Sequence, residues 1–260
     1  MLELSSVSAY FDDATGSHSV FGPLDIQVSE GETCTIIGPS GCGKTSLLKT
    51  IAGLKSYFKG NILMNGESLT PRNFKISYIP YGYGLLSFKT VKDNILLPLK
   101  IRNIQINKEV IFLLHYLTNQ LNIESILDKY PESLTTWELQ STAIARGLIM
   151  KPDVLLMDEP FSNLDLLSRE CAQKKLKNVL REFSITTLLV TYSIEEAIYL
   201  GNRVIVLSSG TGRIIADITG LSSWDEDRSS ARFIKLASIL RQLIKEDWRQ
   251  DGYEKIQNIS

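Results

Sequence analysis

Short apolar segments alternate with helical segments along most of this chain. Strands are predicted at residues 2–9, 19–28, 33–38, 60–64, 76–79, 153–158, 186–191 and 203–208. The segment TCTIIG at 33–38 is typical of a buried strand, ends in a glycine-rich turn and precedes a helical pattern at 44–53. Because strands that alternate with helices favour a mainly parallel sheet covered on both faces, the pattern predicts an α/β fold.

Residues 90–150 interrupt this alternation, since they are helical almost throughout and contain no convincing strand. We interpret them as a helical subdomain inserted into a core that comprises residues 1–89 and 151–220. Residues 221–260 are expected to form a C-terminal helical extension, and the chain 1–260 is expected to be a single domain, as its length allows.

The extension carries a helical pattern at 228–249 with apolar positions on one side. These positions are Phe233, Leu236, Ala237, Leu240, Leu243 and Ile244. An amphipathic helix of this kind either packs on its own domain or binds a partner, and packing on the domain is the more common arrangement.

Composition narrows the class of protein. The hydrophobic content of 43%, the charged content of 22% and the net charge of −1 are ordinary for a globular protein. Since there is no basic excess, we expect no nucleic-acid partner. The longest apolar runs are far shorter than the roughly 20 residues of a membrane span, and the N-terminus resembles no signal peptide. The expectation is therefore a soluble cytosolic protein.

Cysteine and histidine are too sparse and too scattered to build a structural site. The cysteines are Cys34, Cys42 and Cys171, and the histidines are His18 and His115. Their spacings match neither a disulfide framework nor a metal-binding motif, so no metal bound by these residues is expected.

A phosphate-binding loop is the strongest chemical signal. Residues 38–45 read GPSGCGKT, which matches G-x-x-x-x-G-K-[ST] between a predicted strand and a predicted helix. Backbone amides and the helix N-terminus would hold the phosphates, Lys44 would reach the β and γ phosphates, and the Thr45 hydroxyl would bind Mg²⁺. The predicted nucleotide-binding residues here are Gly38, Pro39, Ser40, Gly41, Cys42, Gly43, Lys44, Thr45 and Ser46. Cys42 is interpreted as a small filler of the loop in preference to a redox sensor.

A second half-site follows at VLLMDEP. This apolar strand ends in Asp158, which can hold Mg²⁺ through water, and the next residue, Glu159, is placed as a general base for an attacking water. Two acidic residues at a strand end can also be plain surface charge. With a phosphate-binding loop upstream, the catalytic interpretation is preferred.

With these motifs, the chain resembles the nucleotide-binding subunits of ABC transporters over almost its full length. FSNLD at 161–165 resembles their D-loop, with Ser162 and Asp165 in its main positions, and VTYS resembles their switch loop. Tyr10 takes the position of the aromatic that stacks on adenine, with Phe11 as the alternative. The resemblance implies a P-loop NTPase core with a mainly parallel sheet, an antiparallel β subdomain, the inserted helical subdomain, and ATP and Mg²⁺ as cofactors.

Two further segments add detail to the resemblance. They are the C-terminal tail and residues 82–100, which follow the position of the family's glutamine loop. The tail, GRIIADI followed by DRSSARFIKLASILRQLI, is most similar to the ATPases of nitrate, sulfonate and taurine importers. Residues 82–100 occupy the place where family members meet their membrane subunits. The resemblance therefore implies transmembrane permease subunits as partners, indirectly a solute-binding protein, and a position at the cytoplasmic face of the cell membrane.

The chain departs from the family pattern at three motifs. In place of the signature LSGGQ it has LTTWE at 134–138, where Thr135 keeps a hydroxyl. The other replacements, Thr136, Trp137 and Glu138, put side chains or a negative charge where phosphate approaches. The glutamine-loop and switch-loop residues are tyrosines, Tyr81 and Tyr192, which either substitute as hydrogen-bond donors or mark lost functions.

These departures bear on assembly. In the family, two subunits enclose two ATP molecules. Each ATP contacts the phosphate-binding loop and the following acidic motif of one chain, together called the Walker motifs, and the signature of the other chain. We expect a non-identical sibling with an intact signature in preference to a homodimer, with ATPase turnover reduced where LTTWE is used. The alternatives are a nucleotide-binding scaffold without hydrolysis, and a soluble ATPase of DNA repair, translation or iron–sulfur assembly, whose usual tandem cassettes and insertions this chain lacks.

Overall fold

The computed structural model describes residues 1–13, 16–55, 57–221 and 227–248, without the side chains of residues 11–18 and 248. The strands are β1 (Leu2–Asp13), β2 (Gly16–Val28), β3 (Thr33–Ile37), β4 (Phe58–Met64), β5 (Glu67–Ser68), β6 (Ile76–Ile79), β7 (Val154–Asp158), β8 (Thr186–Thr191), β9 (Arg203–Leu207) and β10 (Ile214–Ile218). The helices are α1 (Lys44–Ile51), α2 (Val91–Ile101), α3 (Lys108–Gln120), α4 (Thr136–Leu148), α5 (Leu166–Phe183), α6 (Ile194–Leu200) and α7 (Ala231–Trp248).

The larger sheet has six strands in the order β10-β9-β3-β8-β7-β6, and all its pairs are parallel except β10 with β9. Every residue of β3, β7 and β8 is buried, as expected for strands covered on both faces. Because these three strands are parallel, their carboxyl ends meet at one edge of the sheet. This is the edge at which open α/β sheets bind ligands.

The smaller sheet is antiparallel, in the order β2-β1-β4-β5. Its strand β1 pairs with both neighbours from its first residue, Leu2 lying opposite Val28 on β2 and Met64 on β4. Its apolar side chains share a core with α1 and with one face of the larger sheet. The predicted fold class, with a mainly parallel sheet and an antiparallel β subdomain, is confirmed.

The inserted helical subdomain is present as well. Residues 90–150, all of which the structure describes, contain α2, α3, α4 and short 3-10 turns but no strand. Each helix begins at a polar cap whose side chain accepts a hydrogen bond from a backbone amide; the caps are Thr90 for α2, Asn107 for α3 and Thr135 for α4. The proposed boundaries of the subdomain remain a prediction.

A buried asparagine fixes the loop that leads into this subdomain. The side chain of Asn94, fully buried in α2, accepts from the amide of Leu86 at 2.8 Å. Its Nδ2 donates to the carbonyls of Leu86, Lys89 and Thr90, each at 3.0 Å. The loop residues 86–90 therefore have little backbone freedom although they lie near the surface.

We expect Asn94→Ala to lower the free energy of unfolding by about 2–4 kcal/mol, because several buried backbone groups lose their partners. Chemical denaturation of the purified chain measures this loss. Asn119→Ala, an exposed asparagine of α3, is the matched control and is expected to change stability by less than about 0.5 kcal/mol. Equal effects at the two positions would contradict the assignment of Asn94 as an anchor.

The C-terminal helix packs on the domain, as the preferred interpretation predicted. Its apolar side chains Phe233, Leu236, Ala237, Leu240 and Ile244 are buried, and Leu243 packs against them while partly exposed. The helix begins at Ala231, three residues after the predicted start. Among the helices of the described residues, none combines the length and apolarity that a membrane crossing requires.

Candidate functional site

The phosphate-binding loop joins the end of β3 to the start of α1. Gly43 caps α1 with φ of 95°, and a Cβ at this position would lie 2.6 Å from the Val20 carbonyl oxygen and from the Phe21 Cβ. Glycine is therefore required both by the backbone conformation and by the close approach of β2. Ser46 follows in the first turn of α1, where its hydroxyl accepts from Lys55 Nζ at 3.0 Å.

Lys44 is turned back onto its own loop. Its Nζ donates to the carbonyls of Gly38 and Pro39, both at 2.8 Å, and the residue is only 4% exposed. Burial lowers the pKa of the Lys44 ammonium, although the nearby Cys42, Glu159 and Asp158 oppose this shift. Lys44, the lysine predicted to bind phosphate, is therefore bonded to carbonyl groups of its own loop in this structure.

Cys42 fills the inside of the same loop. The residue is buried, and a Cβ on Gly38 would lie 2.6 Å from its sulfur. Burial raises the pKa of the Cys42 thiol, an effect that the neighbouring Lys44 partly offsets. A buried thiol with a raised pKa has little of the thiolate character that redox sensing requires, which favours the interpretation as a filler.

Asp158 ends β7 directly beside the phosphate-binding loop. Its Oδ1 accepts from the Thr45 hydroxyl at 3.1 Å, so the two predicted Mg²⁺ ligands are already in contact. Its Oδ2 accepts from the Tyr78 hydroxyl at 3.2 Å, and burial together with Asp158 raises the pKa of Tyr78. A hydroxyl and a carboxylate are oxygen ligands of the kind that Mg²⁺ binds, usually together with water and phosphate.

Glu159 follows with a left-handed backbone, φ of 50°, which is uncommon for a residue other than glycine. The turn is held by its amide, which donates to the Val190 carbonyl at 3.0 Å, and by its carbonyl, which accepts from the Ser162 hydroxyl at 3.0 Å. Burial raises the pKa of the Glu159 carboxyl, and Lys44 opposes the shift. The raised pKa makes the carboxylate a better proton acceptor near neutral pH.

The two tyrosines that replace glutamine and histidine both line this site. The ring of Tyr192 lies over Lys44, with 3.9 Å between Nζ and the ring centroid. The Tyr81 hydroxyl donates to Oδ1 of Asn163 at 3.2 Å. They border one cleft of about 580 Å³, whose lining also includes Thr45, Lys49, Tyr78, Pro80, Asp158, Glu159, Ser162 and Asn163.

The D-loop residues stabilise the rim of the cleft. Asp165 caps α5 by accepting from the amide of Ser168 at 3.1 Å, and the interactions with Ser168 lower the pKa of the Asp165 carboxyl. Arg169 donates from Nε to the carbonyl of Phe161 at 3.1 Å and from a terminal nitrogen to that of Leu164 at 2.8 Å. The D-loop is thus held by an arginine that the sequence analysis did not single out.

Residues 134–138, which stand where the resemblance expects the signature, lie elsewhere, at the start of α4. None of residues 134–138, all described by the structure, lines the cleft. Thr135 and Glu138 form a capping box, in which the Glu138 amide donates to Thr135 Oγ1 at 3.3 Å and the Thr135 amide donates to the Glu138 carboxylate at 2.7 Å. Thr136 is exposed, and Trp137 is partly buried against the helical core with Lys175 5.5 Å from its ring.

Tyr10, the residue predicted to stack on adenine, is not among the residues that line the cleft. Tyr10 lies on β1 opposite Ser19 of β2, and Lys59 Nζ lies 5.1 Å from its ring centroid. The side chain of the alternative, Phe11, lies outside the described part of the chain. The role of either aromatic stays a prediction.

A family model described as ABC transporter matches residues 21–162, which include the phosphate-binding loop, Asp158 and Glu159. The chain belongs to the ABC transporter family. Membership rests on more than half of the chain and confirms the resemblance that the motifs indicated.

Relatives in this family include two import proteins. The molybdate/tungstate import ATP-binding protein WtpC of Pyrococcus horikoshii is 40% identical over 220 residues, which cover 84% of this chain and 64% of WtpC. The aliphatic sulfonates import ATP-binding protein SsuB of Bacillus thuringiensis is 34% identical over 241 residues, which cover 93% of this chain and 94% of SsuB.

Solved structures confirm the ABC fold. The ATP-binding cassette MJ0796, described as a dimer bound to ADP and Pi after hydrolysis, superposes with a TM-score of 0.75 over 86% of this chain and all of that one. At 24% sequence identity, this likeness supports the fold and leaves the chemistry to the site itself.

Proposed function

We propose that the chain is the ATP-binding subunit of an ABC importer, which couples ATP binding and hydrolysis to entry of a small solute through separate membrane subunits. The observation that carries the proposal is the meeting of Lys44, Asp158 and Glu159 at one edge of the sheet, beside the Thr45 hydroxyl. Lys44 would bind the β and γ phosphates, while Thr45 and Asp158 would hold Mg²⁺, which supplies charge neutralisation for phosphoryl transfer. Glu159 would accept the proton of the attacking water.

The relatives support import as the direction of transport. WtpC and SsuB are both named as import ATP-binding proteins, and SsuB matches this chain over nearly its whole length. The partners would be transmembrane permease subunits and, indirectly, a solute-binding protein, which would hold this chain at the cytoplasmic face of the membrane. The segment 82–100 is the proposed contact with the permease, since it exposes Phe88 and is held to α4 by Arg146, which donates to the carbonyls of Tyr83 and Gly84 at 2.7 Å.

The start of α4 supports an asymmetric ATPase pair. A helix N-terminus attracts anions because its first amides and its dipole favour negative charge. In this chain the Glu138 carboxylate already accepts from the Thr135 amide at 2.7 Å and from the Thr135 hydroxyl at 2.9 Å. The Glu138 carboxylate thus adds a negative charge at the helix end that the γ-phosphate bound to a partner chain would approach.

A homodimer would carry this defect in both ATP sites. A sibling with an intact signature would instead complete the site that contains Glu159, and only the site built on residues 134–138 would bind ATP with little turnover. The economy of this arrangement supports a heterodimer, because it gives the retained Lys44, Thr45, Asp158 and Glu159 a working partner.

The composition of the native complex tests this assembly. We expect the membrane complex, purified through a tag on this chain, to contain one copy of it and one copy of a second ATP-binding polypeptide. Native mass spectrometry and peptide sequencing would identify both. Two copies of this chain with no second ATPase polypeptide would contradict the heterodimer.

The second candidate function is a scaffold subunit that binds ATP without hydrolysing it. One observation favours it: the ring of Tyr192, which replaces the histidine of the family's switch loop, lies over Lys44. The two functions differ in whether Glu159 does chemistry.

A further inference from the structure

The ammonium group of Lys44 is buried between carbonyls of its own loop and an aromatic ring. Two of its hydrogen bonds go to the carbonyls of Gly38 and Pro39, and its remaining side faces the Tyr192 ring at 3.9 Å from the centroid. A phosphate oxygen bound to a lysine ammonium lies about 2.7–2.9 Å from Nζ. The aromatic ring therefore lies in the space from which such an oxygen would approach.

The surroundings of Tyr192 place it between the phosphate-binding loop and the general base. Its hydroxyl is close enough to interact with both Ser40 and Glu159. In a P-loop ATPase, the terminal phosphate binds beside the loop, and the attacking water lies between that phosphate and the base. Tyr192 thus occupies in this structure the region that γ-phosphate and water would share.

Hydrogen bonds hold the backbone on either side of Tyr192, whereas its ring can rotate toward solvent. Thr191 ends β8 with a hydroxyl that accepts from the Ser193 amide at 3.1 Å, and Ser193 caps α6 by accepting from the Glu196 amide at 3.1 Å. Tyr192 is nevertheless 46% exposed and borders the open cleft. Rotation of the side chain toward solvent would uncover Lys44 without disturbing either neighbour.

We propose that Tyr192 is a gate that takes the place of the terminal phosphate, covering Lys44 in the nucleotide-free chain and being displaced by the γ-phosphate of ATP. The contact of the ammonium with the ring is a cation–π interaction, which ATP binding would have to replace. ADP lacks the γ-phosphate, so ADP binding would displace the Tyr192 ring less than ATP binding would. Tyr192 therefore lowers the affinity for ATP more than the affinity for ADP, and it sets the preference between the two nucleotides.

This inference rests on the proposed function, because it requires the loop at 38–45 to bind nucleotide. Its test is the equilibrium dissociation constant of the full chain for MgATP and for MgADP, measured by calorimetry. All proteins carry Glu159→Gln, so that ATP is not consumed during the titration. The compared variants are Tyr192→Ala, which removes the ring, Tyr192→Phe, which keeps the ring and removes the hydroxyl, and Phe112→Ala, which removes an exposed ring of α3 that does not line the cleft.

Tyr192→Ala is expected to lower the dissociation constant for MgATP about tenfold and that for MgADP less than about twofold. Tyr192→Phe is expected to stay close to the parent, since the ring still covers Lys44. Phe112→Ala is expected to leave both constants unchanged, because Phe112 is exposed on α3 and does not line the cleft.

Two results would overturn the gate. One is weaker MgATP binding in Tyr192→Ala, which would make the tyrosine a phosphate ligand; the other is an equal change for both nucleotides. Failure of the proposed function has a different signature, namely that the parent and Tyr192→Ala both bind neither nucleotide. Binding of ATP by Tyr192→Ala but not by the parent would support the gate in its strongest form.

Discussion

Replacing Glu159 by glutamine is expected to lower ATP turnover by the assembled complex at least about 100-fold, the usual contribution of a general base. Glu159 is half-buried beside Asp158, and its raised pKa reflects removal from water more than the opposing attraction of Lys44. Glutamine keeps the size of the side chain and removes the proton acceptor. MgATP binding should persist, since Lys44 and Thr45 are unchanged.

The measurement is phosphate release by the complex reconstituted with its membrane subunits, with MgATP binding determined on the same preparation. Glu109→Gln, an exposed carboxylate in the first turn of α3, is the matched control and should leave turnover unchanged. Equal turnover in Glu159→Gln and the unmodified complex would remove the ATPase from the proposed function and favour the scaffold.

Local patterns were sufficient to predict the architecture. Continuous apolar runs such as VLLMD and TTLLVT became the fully buried strands β7 and β8, because covered parallel strands need side chains of this kind on both faces. The strand–loop–helix order predicted around residues 38–45 is present, because β3, the glycine-rich loop and α1 are adjacent in sequence. Lys44, Thr45, Asp158 and Glu159 then came together since β3 and β7 end at the same edge of the sheet.

Two edge strands, β5 and β10, were not predicted. β5 has two residues, and β10 pairs along one side only and is mostly half-buried, so neither carries a clear alternation of buried and exposed positions. The first strand also extends beyond the predicted range 2–9 to Asp13. Its extra residues pair with β2, and this long-range pairing leaves little trace in local composition.

Contacts between distant segments were also beyond the sequence. Tyr78 is one aromatic in a short strand, and its bond to Asp158 depends on β6 lying next to β7 in the sheet. Arg169 looks like any charged residue of an amphipathic helix until the D-loop carbonyls are seen beside it. The closing of Lys44 under Tyr192 joins residues 148 positions apart, and no spacing rule links them.

The signature segment illustrates how the structure sharpens a sequence interpretation. The sequence predicted that the side chains of Thr136 and Trp137 and the charge of Glu138 would obstruct the approach of phosphate. The structure shows that Trp137 packs against the helical core, whereas the Glu138 carboxylate turns back onto the helix N-terminus. The charge therefore becomes the more serious obstacle to phosphate, and glycines alone would leave it in place.

In a complex already carrying Glu159→Gln, the further change Thr136→Gly, Trp137→Gly and Glu138→Gln is expected to raise ATP turnover at least about tenfold above that background, because the helix end at the proposed second site loses its negative charge and two side chains. Thr135 is retained as helix cap, but the loss of the packed Trp137 ring and the two glycines should together lower stability by about 3–5 kcal/mol, which thermal unfolding would monitor. Phosphate release by the reconstituted complex is the measurement.

The matched control keeps Glu138 and changes only Thr136→Gly and Trp137→Gly. It is expected to remain close to the Glu159→Gln background, since the carboxylate, held by the Thr135 amide and hydroxyl, still places a negative charge at the helix end. Equal recovery in the two variants would show that the side chains, and not the charge, exclude phosphate. Absence of recovery in both would contradict the proposal that residues 134–138 limit turnover at the second site.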